Sequence, residues 1–105
     1  MAKALIHAGI CGFSTQVDAV MVDGICHLHI ESACKGIQKL AEQVAQVDPY
    51  REITYRGQGP QILAAAASKT CPHPACPVPA GIIKAVEVAA GLALPADVNI
   101  HITKE

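Results

Sequence analysis

Four prolines fall within nine residues, between Cys71 and Pro79, and this run limits the fold of the chain more than any other feature. Proline lacks an amide donor and fixes φ, so neither a regular helix nor a central strand passes through such a run. Pro79 itself suits the first turn of a new helix. The 105 residues suffice for one core of modest size, so we expect a single domain over 1–105.

Strand patterns occupy the first third of the chain. β-branched residues predict strands over 2–10 and 15–22, which the intervening residues join as a hairpin. An Asp-Gly pair at 23–24 is a strong signal for a tight turn. After it, 25–31 alternates apolar residues with polar ones such as His27, which predicts a third strand with one apolar face.

Helical patterns follow. Ser32 stands where an N-cap belongs, and apolar residues then recur at helical spacing until the Asp-Pro pair at 48–49. The alanine-rich stretch 62–68 predicts a short second helix, because alanine has the highest helix propensity. A third helix is predicted over 79–91. The stretch 50–61, which contains two glycines and a proline, is left unassigned.

A last stretch, 98–103, alternates in the manner of a strand, with Val98, Ile100 and Ile102 on one face. The element order is then three strands, three helices and a strand. This order predicts an α+β fold with two layers, in which a four-stranded, mostly antiparallel sheet carries the helices on one face.

Composition limits the partners of such a domain. The formal net charge is −1 and only 3% of the residues are aromatic, so we expect no nucleic-acid partner. No apolar run reaches the length of a membrane span, so we expect no membrane partner. The opening stretch is too interrupted for a signal peptide, which makes the cytoplasm the expected compartment. An unpaired edge strand makes a homodimer an expectation as well.

Cysteine placement is the main chemical signal. The chain has five cysteines, an odd number that favours thiols or metal ligands over a disulfide framework in a reducing compartment. Following the predicted elements up and down the sheet brings most of these cysteines, and one histidine, to one end. The predicted metal ligands are Cys11, Cys34, Cys71, His73 and Cys76.

Soft donors in this number suit tetrahedral zinc or an iron–sulfur cluster. The local spacing is weaker evidence, because four residues separate Cys71 from Cys76 and the chain has no Cys-x-x-Cys pair. Proline after each of these two cysteines favours the cluster. Cys26 begins a strand at the opposite end and is predicted to be a core residue.

Two other interpretations stay open. Cys34 opens a helix, where free amides and the helix dipole favour a thiolate, so it is a candidate redox or sulfur-handling thiol. His73 or His29 is the candidate base. Alternatively, the cysteines are packing residues and the chain is an interaction module without a site. The sequence identifies no substrate and does not decide whether the protein is an enzyme.

Four segments carry a resemblance to a known family. They are Gly-Ile-Cys-Gly-Phe at 9–13, Ile-Glu-Ser-Ala-Cys at 30–34, His-Pro-Ala-Cys-Pro-Val-Pro at 73–79 and Gly-Leu-Ala-Leu-Pro at 91–95. In these segments the chain resembles a small conserved domain family of unknown function from anaerobic prokaryotes. The resemblance spans nearly the whole chain and implies no activity or site residues.

Overall fold

The computed structural model describes residues 1–70 and 73–105, except for the side chains of Lys69 and Thr70. In chain order the elements are β1 (Ala2–His7), β2 (Ser14–Val22), β3 (Ile25–Ser32), α1 (Lys35–Gln43), β4 (Gln46–Val47), α2 (Pro49–Glu52), α3 (Gln61–Ala65) and α4 (Val78–Ala89). A π-helical turn, Ala66–Thr70, continues α3. No helix in the described ranges is long and apolar enough to cross a membrane.

The four strands form an antiparallel sheet in the order β1-β2-β3-β4. Helix α4 packs on β1 and β2, and α1 packs on β3. Buried positions alternate along the strands, as at Val17 and Ala19, which places one sheet face against the helices and leaves the other open. The predicted α+β class, with a four-stranded antiparallel sheet covered on one side, is confirmed.

The fourth strand is not the predicted one. Residues 98–103 have no regular structure in the single chain and every one of them is exposed, so the prediction that they form the fourth strand of its own sheet is wrong. The fourth position is taken by β4, in which Val47 pairs with Cys26. Alternation of apolar and polar residues shows that a segment can form a strand, but the segment also needs a sheet edge close enough to pair with.

Helix α1 is also shorter than predicted. It ends at Gln43, and the amide of Val44, its C-cap residue, donates to Leu40 O at 3.1 Å. Val44 and Val47 are both buried, as predicted, but Val47 reaches the core from a strand. The first helix therefore does not continue to the Asp-Pro pair, because the chain turns early to pair with β3.

A buried carboxylate organises the previously unassigned stretch 50–61. Glu52 is 1% exposed, and its two carboxylate oxygens accept hydrogen bonds from the amides of Gln61 and Ile62, each at 2.8 Å. These amides open α3, where no carbonyl of the helix reaches them. The N-cap residue Pro60 has no side-chain acceptor, so Glu52 supplies the cap from α2.

Helix α4 lies close to β1 at Gly81. A Cβ atom there would lie 2.7 Å from Cγ1 of Ile6 and closer still to its Cδ1. A non-bonded carbon pair needs about 3.5 Å, so a side chain on Gly81 would force either the Ile6 side chain or the helix to shift. Gly81 thus lets the helix lie close to Ile6, and its neighbour Ile82 is fully buried.

We predict that Glu52→Ala lowers the free energy of unfolding by about 3 kcal/mol, because it leaves two amides of α3 without acceptors. Glu52→Gln should cost less, since its amide oxygen still accepts one bond. The exposed Glu42 on α1 provides the control, and Glu42→Ala should change stability by no more than about 0.5 kcal/mol. Urea denaturation measures all three variants, and equal effects of the two alanine substitutions would contradict the capping role.

A double-mutant cycle tests the contact of α4 with β1. Gly81→Ala should lower stability by about 1–2 kcal/mol, because overpacking outweighs the gain in helix propensity. In an Ile6→Ala background the overlap is absent, so the same substitution should be neutral or stabilising by up to about 1 kcal/mol. An identical effect in both backgrounds, measured by thermal or urea unfolding, would show that the two residues do not meet.

Candidate functional site

Three connections from distant parts of the chain meet at one end of the sheet, here called the thiol end. At this end β1 finishes and β2 starts, since His7 pairs with Ser14. The close of β3 lies beside them, because Ser32 pairs with Thr15. The stretch before α4 arrives at the same end, since Gly81 in the first turn of α4 rests on Ile6.

Cys11 lies at the tip of the β1–β2 connection. The amide of Gly12 donates to Gly9 O at 2.9 Å, which closes a tight turn around Cys11. Both glycines have positive φ angles, 89° and 76°, which other residues rarely adopt. The turn holds Cys11 exposed, next to the fully exposed Ile10.

Cys34 joins β3 to α1 and is the N-cap residue of the helix, with extended backbone and no side-chain capping bond. Ser32, which the sequence suggested as the N-cap, lies two residues earlier. Its hydroxyl oxygen accepts hydrogen bonds from the amide of Cys34 at 3.2 Å and from the hydroxyl of Thr15 at 2.9 Å. Ser32 thus fixes the approach to the helix, and the partly buried Cys34 packs against the core.

Cys76 ends a short turn before α4, in which its amide donates to His73 O at 3.1 Å. Its side chain is partly buried and packs against the core, whereas His73 is exposed. Cys71, the remaining predicted ligand, lies outside the described residues. The proline-rich run therefore presents Cys76 toward the interior and His73 toward solvent.

The thiol end thus collects cysteines from three connections, but the described residues do not form a finished metal site. Across residues 1–68 and 73–105, no group of three or more His, Cys, Asp or Glu side chains is arranged to hold a metal ion. The cysteines described there are free thiols. The five-residue ligand set stays a prediction, because one of its members is Cys71.

Cys26 has a different environment. It is the second residue of β3, at the end of the sheet opposite to the thiol end, and its side chain is fully buried in the core. Burial raises the pKa of the Cys26 thiol, because the thiolate would lose its hydration, and a hydrogen bond with the backbone of Val20 offsets this only in part. Cys26 is a packing residue, as the sequence indicated.

The open face of the sheet carries polar side chains. His29 Nε2 lies 2.8 Å from Glu31 Oε1, and Lys3 Nζ lies 4.0 Å from Asp18 Oδ1. A shallow depression of about 410 Å³ lies on this face, with Gln16 in its lining. His29 is exposed, as alternation predicted, and its exposed pair with Glu31 contributes little to stability.

The fold and the site define a class of small α+β domain, in which an antiparallel meander is covered on one side by helices and carries free thiols at one end. Within that class, the chain belongs to a family of unknown function, DUF6951, whose pattern matches residues 2–102. This agrees with the resemblance to a small domain family without a known activity. No curated protein and no solved structure matches the chain.

Glu52 has a structural role that the sequence analysis did not predict. Its partners lie nine and ten residues further along, beyond two glycines and a proline. The sequence contains only indirect evidence for this role, because Pro60 comes directly before an alanine-rich helix and has no side chain that can cap it. A helix that lacks its own cap requires an acceptor from elsewhere.

We predict that the described thiols differ in alkylation rate according to burial. Cys11 should react fastest, Cys34 and Cys76 more slowly, and Cys26 only after unfolding.

Burial raises the pKa of Cys26 above that of an unfolded thiol, so the stability that the protonated thiol contributes is fully present below the ordinary thiol pKa. That contribution falls as the pH rises from the ordinary thiol pKa through the raised one. This alkaline loss should be smaller in Cys26→Ala. Mass spectrometry after pulse alkylation and urea titrations at several pH values measure both effects, and rapid native labelling of Cys26 would contradict them.

Proposed function

We propose that this protein is a small metal-binding domain that holds zinc or an iron–sulfur cluster at its thiol end. The proposed ligands come from the predicted set, Cys11, Cys34, Cys71, His73 and Cys76. The observation that carries the proposal is the meeting of three cysteine-bearing connections at one end of the sheet. Thiolates are the protein ligands that zinc and iron–sulfur clusters prefer.

The packing of Cys34 and Cys76 supports the proposal. Both side chains are partly buried against the core, although Cys34 precedes α1, which packs on β3, and Cys76 precedes α4, which packs on β1 and β2. Cys34 is the N-cap residue of α1, and Cys76 lies two residues before the first residue of α4, so both partly buried thiols lie beside the start of a helix. Ligands next to rigid elements lose less entropy when a metal is bound.

Cys71 has a decisive part in this proposal. The described residues supply no group of three ligands, so a tetrahedral site needs Cys71 and an approach of its neighbours. A shared zinc ion requires each sulfur at about 2.3 Å from the metal, which brings the sulfurs within about 4 Å of one another. Metal binding would therefore draw the connections of the thiol end together.

The proposed compartment is the cytoplasm, where thiols remain reduced and free to bind a metal. An anaerobic host, which the resemblance of the sequence suggests, would also protect an oxygen-sensitive cluster.

Metal and sulfide analysis of untagged protein purified without oxygen tests the proposal, together with an optical spectrum. We expect near-stoichiometric zinc or iron, with equivalent sulfide if a cluster is present. Cys71→Ser and Cys76→Ser should each lower the metal content sharply. Cys26→Ala is the matched control, because Cys26 lies at the other end of the sheet, and it should retain the metal.

Well-folded protein that contains no metal and takes up neither zinc nor iron with sulfide would contradict the proposal. Loss of metal in Cys26→Ala without loss of fold would contradict the placement of the site. Circular dichroism of each variant separates a lost ligand from a lost fold.

A thiol-based redox or sulfur-handling function is the second candidate, and the position of Cys34 as N-cap of α1 favours it. Helix amides at this position stabilise negative charge on a sulfur. This candidate requires metal-free protein in which Cys34 is alkylated faster than the exposed Cys11. Faster alkylation of Cys11 than of Cys34 would contradict this candidate, because exposure alone would then account for the reactivity of the thiols.

A further inference from the structure

The segment after α4 is exposed and apolar at alternate positions. Every residue of 94–105, the tail segment, is exposed. Val98, Ile100 and Ile102 are 59%, 76% and 83% exposed, although aliphatic side chains of this size are normally among the most buried. The tail segment therefore does not pack on the body of its own chain.

The alternation within the tail segment is that of a half-buried strand. Asn99 and His101 stand between the three aliphatic residues, so an extended conformation separates a polar face from an apolar one. β-branched residues at the apolar positions favour that conformation. The segment has the properties of a strand and lacks a sheet within its own described chain.

A sheet edge of matching length is available at β1. In the described part of the chain β1 pairs with β2 alone, so the backbone groups on its outer side have no strand partner. Strand β1 is six residues long, the length of 98–103, whereas the opposite edge, β4, has two residues. β1 contains no proline and one charged residue, Lys3, so it lacks the usual protection of an edge.

The two faces of the tail segment also match those of the sheet. Ala2, Ala4 and Ile6 of β1 face the helices, and Lys3 and Leu5 lie on the open face. A strand added beside β1 with its aliphatic residues on the helix side would keep its polar residues on the open face. The apolar and polar faces of the sheet would then continue onto the added strand.

The accessible surface of the chain is larger than its mass requires. It measures 7131 Å², whereas a compact monomer of 10.9 kDa exposes about 5,600 Å². The excess of about 1,500 Å² is more than the roughly 800 Å² that each partner contributes to a standard interface. A second copy of the chain supplies both a tail segment and a β1 edge, and a two-fold axis satisfies both at once.

We propose that two copies of the chain exchange residues 98–103, each adding them as a fifth strand to the β1 edge of the other. The dimer forms through backbone hydrogen bonds along β1 and through burial of Val98, Ile100 and Ile102. It does not depend on the metal proposed for the thiol end, because β1 contributes no cysteine to that site.

Sedimentation of the full chain in the presence of a chelator provides the first test. We expect a species of twice the 10.9 kDa chain mass. Ile100→Asp should raise the dimer dissociation constant at least about a hundredfold, because each of two copies loses the burial of an isoleucine. Asn99→Asp is the matched control, since it adds the same charge on the polar face, and it should remain dimeric.

Hydrogen exchange and mixed isotope labelling provide the second test. Amides of 98–103 should be protected from hydrogen exchange in the dimer. In a mixture of labelled and unlabelled protein, contacts between β1 and residues 98–103 should be detected between a labelled copy and an unlabelled one. A monomer at every concentration would overturn the proposal. So would a dimer that Ile100→Asp leaves intact, or protected tail amides that contact β1 of the same chain.

Discussion

The contact between α4 and β1 fixes the arrangement on which the rest of the structure depends. Gly81 allows the helix to lie on the Ile6 side chain, and a larger residue would require that side chain or the helix to move. From this contact residues 73–77, which precede α4, lie at the thiol end, where Cys76 reaches the edge of the core. The position of the candidate ligand Cys76 thus depends on a glycine, Gly81, that has no reactive or metal-binding side chain.

An aliphatic core explains why this approach must be close. The buried cluster consists of alanine, valine, isoleucine and leucine side chains with Cys26, and the aromatic residues Phe13, Tyr50 and Tyr55 are all exposed. Small side chains fill little volume, so layers must approach closely to reach normal packing density. With so small a core, a single polar contact such as the Glu52 cap becomes a large part of the total stability.

The first three strands and the principal helices followed from local pattern, whereas the fourth strand depended on tertiary contacts. Val44 and Val47 are spaced as in a helix, yet Val47 enters the core from β4 because β3 offers it an edge. Similarly, topology brought Cys11, Cys34 and Cys76 to one end without specifying the distances between their sulfurs. Those distances depend on loop conformations such as the turn around Cys11, which periodicity does not encode.

Strand β1 faces two demands that limit how its edge can be protected. Its residues toward α4 must be small or closely packed, so an inward-pointing charge has no space beside Gly81. A proline protects an edge strand only at a position whose amide would otherwise point outward, and β1 contains no proline. Lys3 alone can discourage pairing, and it already faces Asp18. An edge that is restricted in this way is most readily covered by another strand, which satisfies its backbone without requiring space in the helical layer.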